Sequence, residues 1–195
     1  MKKLLISVSF AACAALPSAA QAQALPPAVV AVVDVDRVRT SCNACKTAIA
    51  ALQSQAVAED SREKALAAPL QTEQQSIQAA ANALGGKQPD AALQARAKAW
   101  QTKADQAQQE AARGRQQLQA NQQYILKQID DKLNPIFAQV MQRRGANVLV
   151  DQNATLATAA SVDVSNDALA ALNAALTTIQ TTAPAPARTN QPQGR

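Results

Sequence analysis

Hydrophobic and polar positions divide the chain into stretches of different period. After Pro26-Pro27 comes a β-branched run, Val29-Val30-Ala31-Val32-Val33-Asp34-Val35, which predicts a short buried strand ending at Asp36. Asp34 or Asp36 then offers a carboxylate to the orphan N–H groups of a following helix. From Val38 the seam positions alternate in steps of four and three through Cys42, Cys45, Ile49, Leu52, Ala56, Glu59, Glu63, Leu66, Leu70, Glu73, Ile77, Ala80 and Leu84, the a/d pattern of a coiled coil. The register is unbroken, but Glu59, Glu63 and Glu73 interrupt its apolar content. Pro69 removes a backbone donor in the same stretch and predicts a bend or local opening.

Gly85-Gly86-Lys87-Gln88-Pro89-Asp90 predicts a reversal, with glycine stopping one helix and Asp90 capping the next. The returning stripe reads Leu93, Ala97, Trp100, Ala104, Ala107, Ala111, Gly114 and Leu118, then drifts to Ile125, Ile129, Leu133, Ile136 and Val140. Its distal half is built of small residues, and at roughly 25 cal/mol per Å² an alanine seam stabilises far less than a leucine seam. Each arm is about 50 residues, which at ~1.5 Å per residue makes roughly 75 Å of helix. Asn134-Pro135 predicts a bend, or a restart with proline in the first turn. Gly145, after Arg143-Arg144, ends the helix.

A second β-branched run, Asn147 to Asp151, predicts another strand, and Thr155 to Ala159 a third, antiparallel to the second. Ser165 is expected to cap a last helix from Asn166 to about Ile179, with Leu169, Leu172, Leu176 and Ile179 on one face. Residues 182–195 read as a disordered tail. The predicted fold is α+β but mostly α: a long antiparallel coiled-coil hairpin, 36–145 with its turn at 85–90, projecting from a small β-containing base formed by 23–35 and 146–181. Such a base is marginal alone, and oligomerisation would bury the second faces of its strands.

Composition supports rods over a globule. There is no His, aromatics are 2% of residues, and there is one Trp. Alanine and glutamine, good helix formers with little to bury, dominate instead, and a conventional aromatic-lined pocket is not expected. Residues 1–22 have the plan of a secretory signal peptide: Met1-Lys2-Lys3, an apolar run from Leu4 to Leu16, then Ala20-Gln21-Ala22 as a small-x-small cleavage site. The apolar run is about 13 residues, short of the roughly 20 a bilayer requires, so cleavage after Ala22 and export are expected. Loss of Lys2 and Lys3 brings the formal net charge from +5 to +3. That small surplus, with no clustered basic face, gives no ground for nucleic acid as a partner.

Cleavage also removes Cys13 and leaves Cys42 and Cys45, a C-x-x-C pair. A single-subunit zinc site needs two more ligands, which a chain without His does not supply. A thiol near a helix N-terminus is activated for redox chemistry, but the βαβ frame of an oxidoreductase is missing. Packing of reduced thiols in the seam, or a disulfide in an oxidising compartment, remain as the structural readings.

Three segments, "AVVDVDRV", "RRGANVLVD" and "ASVDVSNDALAALNAAL", resemble in that order the Skp or OmpH family of periplasmic chaperones for outer-membrane proteins. The family's closing pattern falls on Gly145, Val148 to Asp151 and Asp163-Val164-Ser165; across the arms the likeness rests on length and heptad character. The resemblance implies a periplasmic, ATP-independent holdase without cofactor or enzymatic activity. It implies a homotrimer, with Val30, Val32, Val148, Leu149 and Val150 in the shared base and tentacle arms enclosing unfolded outer-membrane proteins. Arg62, Lys64, Arg96, Lys98, Lys103, Arg113 and Arg115 are the candidate arm contacts to clients, or to phosphates in transient contact with membrane or lipopolysaccharide. The arms are less basic than that family's usual pattern. The alternatives are a periplasmic coiled-coil adaptor, which efflux-pump hairpins resemble, and a thiol oxidoreductase using Cys42 and Cys45.

Overall fold

The structure, a computed structural model, describes residues 25–184. The expected signal peptide and residues 185–195 of the expected tail lie outside them. Strand β1 (Val30–Val33) leads into helix α1 (Val35–Ser41), then α2 (Asn43–Ala83), α3 (Ala91–Arg144), strand β2 (Val148–Asp151) and helix α4 (Ser165–Ala175), with short 3-10 turns at Gln152–Ala154 and Ala160–Val162. Local chemistry sets the junctions. Asp34 caps α1 by accepting from Arg37 N, and Asp90 caps α3 by accepting from Leu93 N. Gly145 closes α3 in the left-handed conformation at φ 67°, which a side chain would disfavour.

The register expected from Val38 onward is broken once. Cys42 is extended rather than helical, at ψ 149°, so α1 stops at Ser41 and α2 starts afresh with the Cys42 sulfur accepting from Cys45 N. Conversely, neither proline interrupts its helix: α2 runs through Pro69 and α3 through Pro135, so the restart that was one alternative at Asn134-Pro135 does not occur. At Pro135 the reason is packing, since Leu133 and Ile136 on either side are buried and hold the helix despite the missing N–H.

β1 and β2 pair in parallel, Val30 with Val148 through Val33 with Asp151, and the helical hairpin is the long crossover that parallel pairing requires. The expected third strand is absent. Residues 155–159 form no strand, and Leu156 is fully exposed. Asp151 instead accepts from Asn153 N to start a 3-10 turn, and Asp163 takes the free edge of β1 as an isolated parallel bridge to Val32. Ser165 is not the cap expected of it either: it is the first helical residue, its N–H and hydroxyl both donating to Asp163 Oδ1.

The core sits at the base. Val33, Val38, Cys42, Cys45 and Ala48 pack with Ile125, Ile129, Leu133, Ile136 and Val140 from the end of α3, and Val164, Ala168, Leu172 and Leu176 close it from α4. Arg39 pairs with Asp130 across the hairpin root at 2.8 Å, and Arg144 with Asp167 at 2.6 Å.

Candidate functional site

The arms are a two-helix ribbon. Beyond Ala48 on α2 and before Asn121 on α3, no residue is fully buried. The half-buried positions follow the expected seam from Glu59 to Leu84 and from Leu93 to Leu118. Nearer the base two positions slip: Ala48 is buried more deeply than Ile49, and Gln55 rather than Ala56 turns inward. The glutamates that interrupt the apolar pattern find partners across the seam: Glu73 with Arg96 at 2.9 Å and Glu63 with Arg115 at 3.3 Å. Arg62 pairs with Glu110, whose hydrogen bond and charge hold its guanidinium further above an already high pKa. Glu59 differs. It lies over Gly114, where a Cβ would overlap its carboxylate, and its Oε1 is buried with no hydrogen-bond partner among the described residues.

Trp100 spans the seam and donates its indole N–H to Leu70 O at 2.8 Å. Two open clefts, of about 530 and 630 Å³, flank this contact and share Leu66, Leu70, Trp100 and Ala107 as walls. Lys103 borders one and Arg115 the other. Such a surface offers apolar area and dispersed charge but no enclosed pocket, which suits shallow contact with an extended chain better than a small ligand.

The candidate arm cations divide into two groups. Arg62, Arg96 and Arg115 tie the arms together, and Lys64 pairs along its own helix with Asp60 at 2.6 Å. Lys98, Lys103 and Arg113 are exposed and enter no ion pair among the described residues. Cys42 and Cys45 form a disulfide, S–S 2.02 Å, with neither residue exposed. Thiol–disulfide exchange requires access for an attacking thiolate, and here both cysteines are 0% exposed.

Of the candidate base residues, Val32 is buried within the chain, Leu149 and Val150 are half-buried, and Val30 and Val148 are 43% and 38% exposed. The closing Asp163-Val164-Ser165 segment locks this base. Ser165 Oγ accepts from Asp34 N at 2.8 Å, and Arg37 lies 3.5 Å from Asp163. The Ser165 hydroxyl bond, helped by the Ser165 N–H and the Arg37 charge, holds the Asp163 carboxyl below its ordinary pKa against the opposing effect of burial.

One arrangement escaped the sequence reading. Residues Gln180–Ala183, expected at the border of a disordered tail, lie along the arm root and are held by side-chain amides of Gln55, Gln117, Asn121 and Gln128. Asn121 is 5% exposed, accepts from Gln117 and Ala183, and donates to Gln55 at 2.8 Å. A signal for it existed: Asn121 occupies the seam step between Leu118 and Ile125, where a polar residue must be buried and therefore hydrogen-bonded.

The family model described as outer membrane protein (OmpH-like) matches residues 29–172. A crystal structure from Caulobacter crescentus, assigned as an OmpH-like outer membrane chaperone, superposes with a TM-score of 0.67 at 21% identity, covering 83% of this chain and 94% of that one. At that identity the likeness is one of fold. No curated protein matches the chain.

Proposed function

Because the chain belongs to the OmpH-like outer membrane protein family, a family of periplasmic chaperones rather than enzymes, we propose that it is an ATP-independent holdase for unfolded outer-membrane proteins in the periplasm. The observation that carries this reading is the arm itself: a ribbon with no fully buried residue between Ala48 and Asn121, opened on both sides by apolar clefts at Leu70 and Trp100. A weakly held surface of this kind exchanges its own contacts for those of a varied client at little cost. Lys98, Lys103 and Arg113, unpaired among the described residues, are the cations available to client carboxylates or lipid phosphates.

In this proposal the working unit is a homotrimer, with residues 23–35 and 146–181 as the shared base and 36–145 as the arm that lines the client cavity. The outer edge of β2 has no strand partner among the described residues. Val30 and Val148 present apolar surface beside it, and an open edge with exposed valines is what a neighbouring copy would cover. The buried Cys42–Cys45 disulfide is a staple in this account, not a redox centre.

The test is dilution of a urea-unfolded β-barrel protein into buffer with mature protein and no ATP. Aggregation should be suppressed at about one trimer per client, as the proposed enclosure requires. Unchanged aggregation at every ratio would reject the holdase.

A further inference from the structure

The amides that hold Gln180–Ala183 bond the segment only through its backbone. Gln128 Oε1 accepts from Gln180 N at 3.0 Å while its Nε2 donates to Gln180 O at 2.8 Å, so one side chain satisfies both backbone groups of one residue, as a neighbouring strand would. Further out, Gln55 Nε2 donates to Thr181 O at 3.2 Å, Asn121 Oδ1 accepts from Ala183 N at 2.8 Å, and Gln117 Nε2 donates to Ala183 O at 3.5 Å. Exposure alternates along the held segment: Ile179, Thr181 and Ala183 are half-buried, Gln180, Thr182 and Pro184 exposed. That is the period of an extended strand. None of its side chains takes part in these bonds, so the grip is indifferent to sequence.

The strap runs outward along the arm, from Gln128 to Gln117. Directly beyond it lies a cleft of about 330 Å³ bordered by Gln55, Gln117 and Asn121 and by the unpartnered acceptor Glu59. We propose that this amide groove is a subsite for the extended backbone of a client, occupied in the client-free protein by the chain's own residues Gln180–Ala183. The strap and the client compete for the same donors and acceptors. Its bonds are exposed or half-buried and individually weak, which allows displacement. The inference rests on the holdase reading, since it concerns how that client is gripped.

The experiment compares full-length mature variants for binding of a fluorescently labelled, unfolded β-barrel protein, with a nitroxide at Thr182→Cys reporting strap mobility. Gln180→Pro with Ala183→Pro removes the two gripped N–H groups. It should free the label and tighten client binding roughly three- to tenfold, the range for relieving a competing segment held by a few weak bonds. Gln180→Ala with Ala183→Ser keeps both N–H groups and should match wild type. Gln55→Ala with Gln128→Ala also frees the label but weakens client binding, because the groove itself is lost. An immobile label in the proline variant, or client affinity equal in all variants while the label is free, overturns the subsite and leaves the holdase standing. If neither wild type nor any variant binds client, the holdase reading falls and the subsite with it.

Discussion

The root and the outer length of the hairpin are made from the same two helices, yet different forces hold them. At the root, α3 contributes Ile125, Ile129, Leu133, Ile136 and Val140, all buried against α1, α2 and α4. Further out the same face carries Ala104, Ala107, Ala111 and Gly114, and the seam is held by the Arg62–Glu110, Arg96–Glu73 and Arg115–Glu63 pairs and the Trp100 indole. Exposed ion pairs fix geometry more than they stabilise. One element can therefore be a rigid anchor at one end and a compliant surface at the other, with side-chain size as the variable.

Truncating the seam at each end sharpens the contrast most. Leu133→Ala at the root should cost about 3 kcal/mol of stability, as for a fully buried leucine. Leu70→Ala on the arm should cost under about 1 kcal/mol, because the side chain is already half in water. Denaturant midpoints measured on both variants check this, and equal losses would break the distinction. Next in size is the staple: Cys42→Ala with Cys45→Ala should lower stability by ~2 kcal/mol, the loop-closure figure for so short a loop, while aggregation suppression persists. Loss of suppression with the fold and oligomer intact would instead return attention to thiol chemistry.

A smaller effect follows from Asp163. Its carboxyl is held below the ordinary value, so its contribution is fully present above the unfolded-state pKa of about 4 and is lost as pH falls through the lowered folded value. Wild-type stability should decline with acidification below about pH 4, and Asp163→Asn should flatten that decline. An unchanged acid profile in the variant would show that other carboxylates govern it. The least effect belongs to the arm pairs: Arg96→Gln with Glu73→Gln should shift stability by no more than about 0.5 kcal/mol, a value read from thermal melts at low and high salt.

Positions where one local rule acts alone were legible in advance. Asp90 as a cap, Gly145 as a stop and the reversal after Leu84 all follow from short-range backbone chemistry, which also narrowed the first cap to Asp34 or Asp36, of which Asp34 serves. The stripe of seam residues was legible because the helical period repeats over many turns. What stayed hidden depends on partners distant in sequence. Cys42 looks like one more seam position until the disulfide and the α4 contact with Asn43 hold the backbone extended. Thr155 to Ala159 was expected beside β2, but Asp151 caps a 3-10 turn directly after that strand and the residues beyond it do not return along its edge. Glu63 and Glu73 read as flaws in a heptad until Arg115 and Arg96 arrive from the opposite arm. The strap was least legible, because its contacts are all to backbone and leave no mark in the composition of residues 180–183.

Amide hydrogen exchange, followed along α2 and α3 of the mature protein with and without an unfolded β-barrel client, tests the central contrast most directly. Amides from Ile125 to Val140 and around Cys45 should exchange slowly in both conditions, while those from Glu59 to Ala111 exchange much faster alone and gain protection when client is added. Uniformly slow exchange along both helices, unaltered by client, would contradict it.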